Sequence, residues 1–314
     1  MLGRTANALF WMFRYLERAE NTARLLEAGL RMALTRDVVT AEAEWRSVIA
    51  TLGQQAAFEA LHDSYDGLSV WNFVLRAPSN PASVRAMFGM VRANARTART
   101  NISSDVWEAV NDNWMKLDKL LARPVGQTAV GEALGAIRRA GTQVHGAFDG
   151  SILRDEGYHF ARAGTYIERA DSTARILDMK YFLLLPSLSY VGSSLDTGQW
   201  EQVLRSVAGA SVYSWLNAGQ IEARGIVEFL VLDERFPRSL AFCRNALREN
   251  LAALARMHGA DGHCNALMRE ADTRISHMTV DEIFEQGLHE FLIDFMASNV
   301  AIANAIASDY RFTA

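Results

Sequence analysis

The decapeptide YLERAENTAR at residues 15–24 returns as YIERADSTAR at residues 166–175. Seven of ten positions are identical, and the other three exchange Leu for Ile, Glu for Asp and Asn for Ser. The copies stand 151 residues apart, and further matches follow in the same order. Trp45, Val48 and Ile49 align with Trp200, Val203 and Leu204 at an offset of 155. FVLRAPSNPASV at 73–84 aligns with FLVLDERFPRSL at 229–240 at an offset of 156, and Arg92 and Asn94 then meet Arg248 and Asn250. A drift of about five residues is what loop insertions produce. The pattern reads as a tandem duplication, residues 1–150 and 151–314, forming separate lobes or one fused domain.

Each half is expected to be helical. Five prolines, little Val, Ile and Thr, and much Ala, Leu, Arg and Glu favour helix over sheet. Leu9, Phe13, Leu16, Ala23 and Leu30 recur at helical spacing over 6–34, and Ile167, Ala174 and Tyr181 do so over 158–184. Further helices are expected over 40–62, 83–101, 104–122, 127–149, 198–219, 238–258 and 279–308. Ser83 and Ser239 follow prolines and precede helical patterns, as N-caps or first-turn residues do. Residues 77–81, 124, 185–190 and 259–264 read as loops. The expected fold is all-α, a two-lobed helical bundle with internal pseudo-twofold symmetry.

The repeated helix carries charge where a solvated face would not place it. Glu17, Glu20, Arg24 and Glu27 step by three, four and three residues, and Glu168, Asp171, Arg175 and Asp178 repeat those steps. Glu20 and Glu27 continue the apolar rhythm, so these acids lie on or beside the packing face. A carboxylate there must be paired or bind a cation, because isolated burial costs several kcal/mol. Arg24 is the nearest candidate, while Arg18 and Arg169 project from a neighbouring stripe. Two facing copies would gather acids and arginines around one cleft. Three readings stay open: a buried ion-pair network, a ligand or catalytic cleft, and a partner-docking surface.

The Glu-Arg motif in YLERAENTAR, and again in FARAGTYIERADSTARILDMK, is similar to the Alpha-E family, a bacterial all-helical family named for that motif. FVLRAPSNPASVRAMFGMVRANARTARTNISSDVWEAVN and FLVLDERFPRSLAFC resemble it too, so the likeness spans essentially the whole chain. The resemblance implies a setting beside a circularly permuted ATP-grasp ligase and a transglutaminase-like peptidase, at times with a proteasome-related hydrolase. That setting is one of ATP-dependent peptide or amide-bond formation and its reversal. By motif, Glu17, Arg18, Glu20 and Arg24 carry over, with Glu168, Arg169, Asp171, Arg175 and Asp178. One departure is Phe13, which stands where the first motif usually has Gly, while Gly164 holds the matching place in the second.

Other constellations are less specific. Arg92, Arg96 and Arg99 step by four and three and read as a possible anion site. Glu59/His62 and Glu156/His159 have the Glu-x-x-His spacing of di-iron carboxylate bundles, with Glu20 and Glu168 available as further ligands. The two pairs do not align under the duplication, so they are weak metal candidates and no cofactor is expected. Cys243 and Cys264 lack CxxC spacing, which disfavours a disulfide scaffold and fits buried thiols. Trp45 and Trp200, being repeat-equivalent, favour core packing. The sequence has no nucleophile elbow, phosphate loop or dinucleotide fingerprint. Of 32 basic residues only Lys116, Lys119 and Lys180 are lysines, a bias that suits bidentate carboxylate pairing or reflects a GC-rich genome. The net charge of -4 disfavours a globally basic nucleic-acid binder. The apolar run from Ala8 to Phe13 is too short for a signal peptide, and no stretch approaches a membrane span, so the expected location is cytoplasmic.

These readings converge on a non-catalytic accessory protein that binds an ATP-grasp ligase or its peptide substrate. The alternatives are an enzyme of the same pathway using paired carboxylates as general acid and base, and a di-metal bundle.

Overall fold

The computed structural model describes residues 1–33, 38–183 and 194–312. Every regular element among the described residues is helical: fifteen α-helices and one short 3-10 turn. The chain divides into two compact units, Tyr15–Ile152 and Met1–Arg14 together with Leu153–Ala314. α1 (Gly3–Ala33) contributes to both.

The Tyr15–Ile152 unit continues with α2 (Val38–Thr51), α3 (Gln55–Glu59), α4 (Gly67–Arg76), α5 (Val84–Thr97), a 3-10 turn (Arg99–Asn101), α6 (Ser104–Leu120) and α7 (Val130–Ser151). Ser83 caps α5 by accepting from Ala86 N at 3.4 Å, and Ser103 caps α6 by accepting from Val106 N at 3.1 Å. The expected 40–62 helix is broken at Gly53, whose φ of 66° ends α2. Phe58, Trp45 and Trp71 are buried, and Trp71 Nε1 donates to Val125 O at 2.8 Å. α4 was not expected; Asp66 caps it by accepting from Ser69 N at 3.0 Å.

The other unit holds α8 (Glu156–Leu183), α9 (Ser194–Ser206), α10 (Ala210–Leu216), α11 (Ala223–Val231), α12 (Leu240–His258), α13 (His263–Ile275), α14 (Val280–Gln286) and α15 (Leu288–Asp309). Ser239 caps α12, accepting from Phe242 N at 3.0 Å. The expected 198–219 helix is split at Ala208 (φ 56°), and the expected 279–308 helix at Gly287 (φ 99°). Left-handed backbone ends a helix whatever apolar rhythm runs through it. α11 and α13 were not foreseen. The loop expected over 259–264 is shorter, because Gly259 caps α12 with φ 68° and α13 begins at His263. The expected loop at 185–190 and the side chain of Tyr181 lie outside the described residues.

α8 packs between α12 and α15. Gly164 lets the first turns of α1 approach α8, since a Cβ there would overlap the Phe10 carbonyl. At the matching place in the first copy Phe13 is fully buried as a side chain. α15 corrects the expectation that no stretch approaches a membrane span, because its length and composition would suffice to cross one. Its Phe291, Leu292, Ile302 and Ile306 are buried, it packs on α8 and α13, and Asn299 Nδ2 donates to Ile167 O at 3.0 Å. Those contacts belong to a core helix.

Candidate functional site

The charged stripe of α1 lies against α7. Glu17 is fully buried, with its carboxylate 3.6 Å from His145 Nε2. Glu20 is 5% exposed and accepts from Arg24 Nη2 at 2.5 Å. It rests on Gly141, where a Cβ would come within 2.5 Å of its Oε2. Glu27 accepts from Arg31 at 3.1 Å and stands 3.4 Å from Arg138 Nε. Residues 17, 20 and 27 thus meet 145, 141 and 138, an antiparallel pairing. Arg18 is half-buried beside Glu17 in sequence.

In the other unit the second copy lies on α8. Glu168 is 2% exposed and accepts from Arg14 Nε at 2.9 Å, while the Arg14 guanidinium sits 4.5 Å from the Trp11 ring centre. A guanidinium tolerates such a site better than an ammonium, because it stacks on the ring with one face and donates from its edge. Arg169 Nη1 donates to Pro237 O at 3.3 Å, and Thr173 Oγ1 donates to Arg238 O at 2.8 Å. Both bonds tie α8 to the loop that ends at the cap Ser239. Asp171 accepts from Arg175 Nε at 2.7 Å, and Asp178 is paired with His289 Nδ1 at 2.5 Å. Glu17, Glu20, Glu27, Glu168 and Asp178 therefore face other helices of their own units, while Asp171 is met by Arg175 of its own helix.

Several participants escaped sequence reasoning: Arg14, His145, Gly141, Arg138, His289 and Lys180. One signal was available, since Arg138 and His289 are separated by the same 151 residues as the motif copies. Lys180 is fully buried, donates to Gln199 Oε1 at 2.8 Å and lies 5.3 Å from the Trp200 ring centre. Nothing in its local pattern distinguishes it from a surface lysine.

The remaining candidates disperse. α5 ends at Thr97, so Arg99 does not continue the face of Arg92 and Arg96. Arg92 donates to Asn111 Oδ1 at 2.9 Å, Arg96 is exposed, and Arg99 turns over the Trp107 ring. Glu59 accepts from Gln55 at 3.0 Å and Tyr65 at 2.8 Å, bonds that hold its carboxyl below the usual range, while His62 stacks on Phe58. Glu156 binds the N-terminal ammonium and His258, whereas His159 pairs with Asn250 at 2.8 Å. Among the described residues no group of three or more His, Cys, Asp or Glu could hold a metal ion. Both cysteines are buried free thiols, and burial, with Asp309 adding, pushes the Cys264 thiol up to about 12.

A family model described as a predicted alpha-helical domain with a conserved ER motif matches residues 1–310. The chain belongs to the Alpha-E family. Glu17-Arg18 and Glu168-Arg169 are the ER dipeptides of its two motif copies. The chain is similar to the uncharacterised protein Rv2567 of Mycobacterium tuberculosis, 26% identical over 318 residues, covering 94% of this chain and 35% of the relative. The uncharacterised protein Mb2597 of Mycobacterium bovis matches with the same identity and coverage. This Alpha-E chain thus spans about a third of the length of the curated relatives it matches. No solved structure matches it.

Proposed function

We propose that this Alpha-E chain is a non-catalytic accessory protein of an ATP-grasp-associated peptide or amide-bond pathway, docking the ligase or its peptide substrate. The observation that supports this most is the burial of Glu17 and Glu168, each beside a basic group of its own unit. A general acid or base must reach a substrate, and these two carboxylates are inside. The stripes then act as packing elements that fix the motif helix against its neighbours. The relatives' threefold greater length fits a module that is elsewhere joined to other segments of one chain.

The reading includes the duplication. Gly53 and Ala208, 155 residues apart, are both left-handed. The next amides, Gln54 N and Gly209 N, donate to Ile49 O and Leu204 O, at the same offset. Glu27 with Arg138 and Asp178 with His289 preserve the 151 offset on both partners. Two units built alike from one doubled ancestor are what these correspondences support.

We assign the docking face to α10. Trp215 is 86% exposed, with Val212 and Leu216 exposed beside it. Leu216, Phe229 and Leu232 line an adjoining groove of about 610 Å³ with Glu228, Asp233 and Glu234 at its edge, of which Asp233 is paired with Arg235 at 2.7 Å, so that three acids against one arginine leave a charge of -2. Exposed Trp is a common anchor of protein interfaces, and the acidic edge favours a basic partner segment. The test is co-expression with an ATP-grasp ligase from the same genome. A complex on size exclusion and altered ATP turnover are expected, and Trp215→Ala should weaken the complex at least tenfold. No complex and unchanged turnover would contradict the proposal.

A further inference from the structure

α12 and α13 enclose a groove of about 540 Å³, distinct from the motif helices and from the α10 face. Its floor is low because α12 presents Ala252 and Ala255 there, and its walls carry Arg248, Arg256 and Arg269. Arg269 donates to Asp261 at 2.7 Å, and Arg248 to Asp272 at 3.2 Å. Asp272 is shared, because Arg244 Nε lies 2.9 Å from its other oxygen. Arg244 is 7% exposed, and neither its Nε nor its Nη1 makes a hydrogen bond of good geometry. Burial lowers its pKa from the ordinary arginine value, more than the Asp272 charge raises it. Arg256 has no acidic partner among the described residues. Among the residues that line the groove, three guanidiniums, Arg248, Arg256 and Arg269, stand against one carboxylate, Asp261, a local surplus of two positive charges in a chain whose net charge is -4. In the first turn of α13, Cys264 N is held by Asp309 at 2.8 Å.

We infer that this groove binds a phosphorylated small molecule, its phosphate seated on Arg248, Arg256 and Arg269. A phosphate monoester brings a charge close to minus two at neutral pH, which matches the surplus. Its oxygens accept from several guanidiniums at once, whereas one carboxylate is satisfied by a single guanidinium fork. The volume suits a small ligand, and the acidic chain as a whole disfavours nucleic acid. Phosphate binding would relieve the competition of Arg244 and Arg248 for Asp272, leaving that carboxylate to the buried guanidinium.

Titration calorimetry at constant ionic strength tests this with inorganic phosphate, adenosine monophosphate, citrate and a short DNA duplex. Saturable binding of phosphate and of the monophosphate is expected, with citrate at least tenfold weaker. Tighter binding of the monophosphate than of phosphate would place the organic moiety in the groove, and equal binding would restrict the site to the phosphate itself; each supports the assignment. Arg256→Ala, an exposed change compatible with folding, should weaken binding at least tenfold, and Arg256→Lys should restore part of it. Unchanged binding in Arg256→Ala and Arg269→Ala would overturn the site. Equal or tighter citrate binding would overturn the phosphate chemistry, and tighter DNA binding would overturn the small-molecule class. No saturable heat with any anion, together with an unshifted phosphorus resonance, would overturn the proposal altogether.

Discussion

Gly164→Ala should destabilise the unit that contains α8, although alanine is the better helix former. Two terms of opposite sign compete. Replacing a mid-helix glycine stabilises by about 1 kcal/mol. Against this, the new Cβ would fall inside the Phe10 carbonyl, with the Phe10 carbonyl carbon 3.0 Å away. That obstacle is backbone, not the end of a flexible side chain, so α1 and α8 must move apart. Overpacking of this kind costs about 1–3 kcal/mol and more where backbone is the obstacle. A cost of about 3 kcal/mol leaves a net loss of about 2 kcal/mol, or roughly 4–8 °C in Tm for a unit of this size. Gly146, also inside a helix, is the internal control, since nothing lies within 4 Å of its added Cβ. Gly146→Ala should raise Tm by about 2–4 °C, the helix-propensity term alone. Thermal unfolding followed by circular dichroism reads both. A Gly164→Ala protein as stable as the parent, or more stable, would refute the close crossing.

The same packing has other consequences. Gly141→Ala would press on the buried Glu20 carboxylate and should lower Tm by a few degrees relative to Gly131→Ala, whose added Cβ meets nothing within 4 Å. Both thiols should resist a disulfide exchange reagent at pH 8 in the folded protein and react fully in denaturant, because they are buried and Cys264 is held up to about 12. The unfolded chain loses the Cys264 proton near pH 9 and the Tyr65 proton near pH 10, while burial holds both folded groups at about 12. The folded state then binds more protons, so denaturant midpoints should fall as pH rises from about 9 to 12. A midpoint that is flat or rising over that range would contradict this.

The all-helical class and the long motif helices were legible because apolar spacing, composition and the decapeptide repeat agree. The breaks at Gly53, Ala208 and Gly287 were not, since apolar periodicity runs through each and only backbone geometry ends the helix. Ala208 carries no sequence sign of its left-handed backbone. α13 was missed because its stripe is interrupted by Asn265, Arg269 and Asp272, which serve the groove and the Arg244 pair. At the motif, the sequence located Glu17 and Glu168 on a packing face but misassigned their neighbours. Arg24 partners Glu20 alone, and Glu168 receives Arg14, which lies one residue before the aligned stretch of the first copy. Partners across a helix interface are fixed by tertiary register, which local spacing does not encode.

The most direct test of the motif as an internal packing element is a double-mutant cycle on Arg14→Gln and Glu168→Gln in urea. The pair is nearly out of solvent at 2.9 Å, so a coupling energy of about 1.5–3 kcal/mol is predicted, with Arg14→Gln alone costing about 3 kcal/mol. A coupling below about 0.5 kcal/mol, with both single variants as stable as the parent, would contradict it.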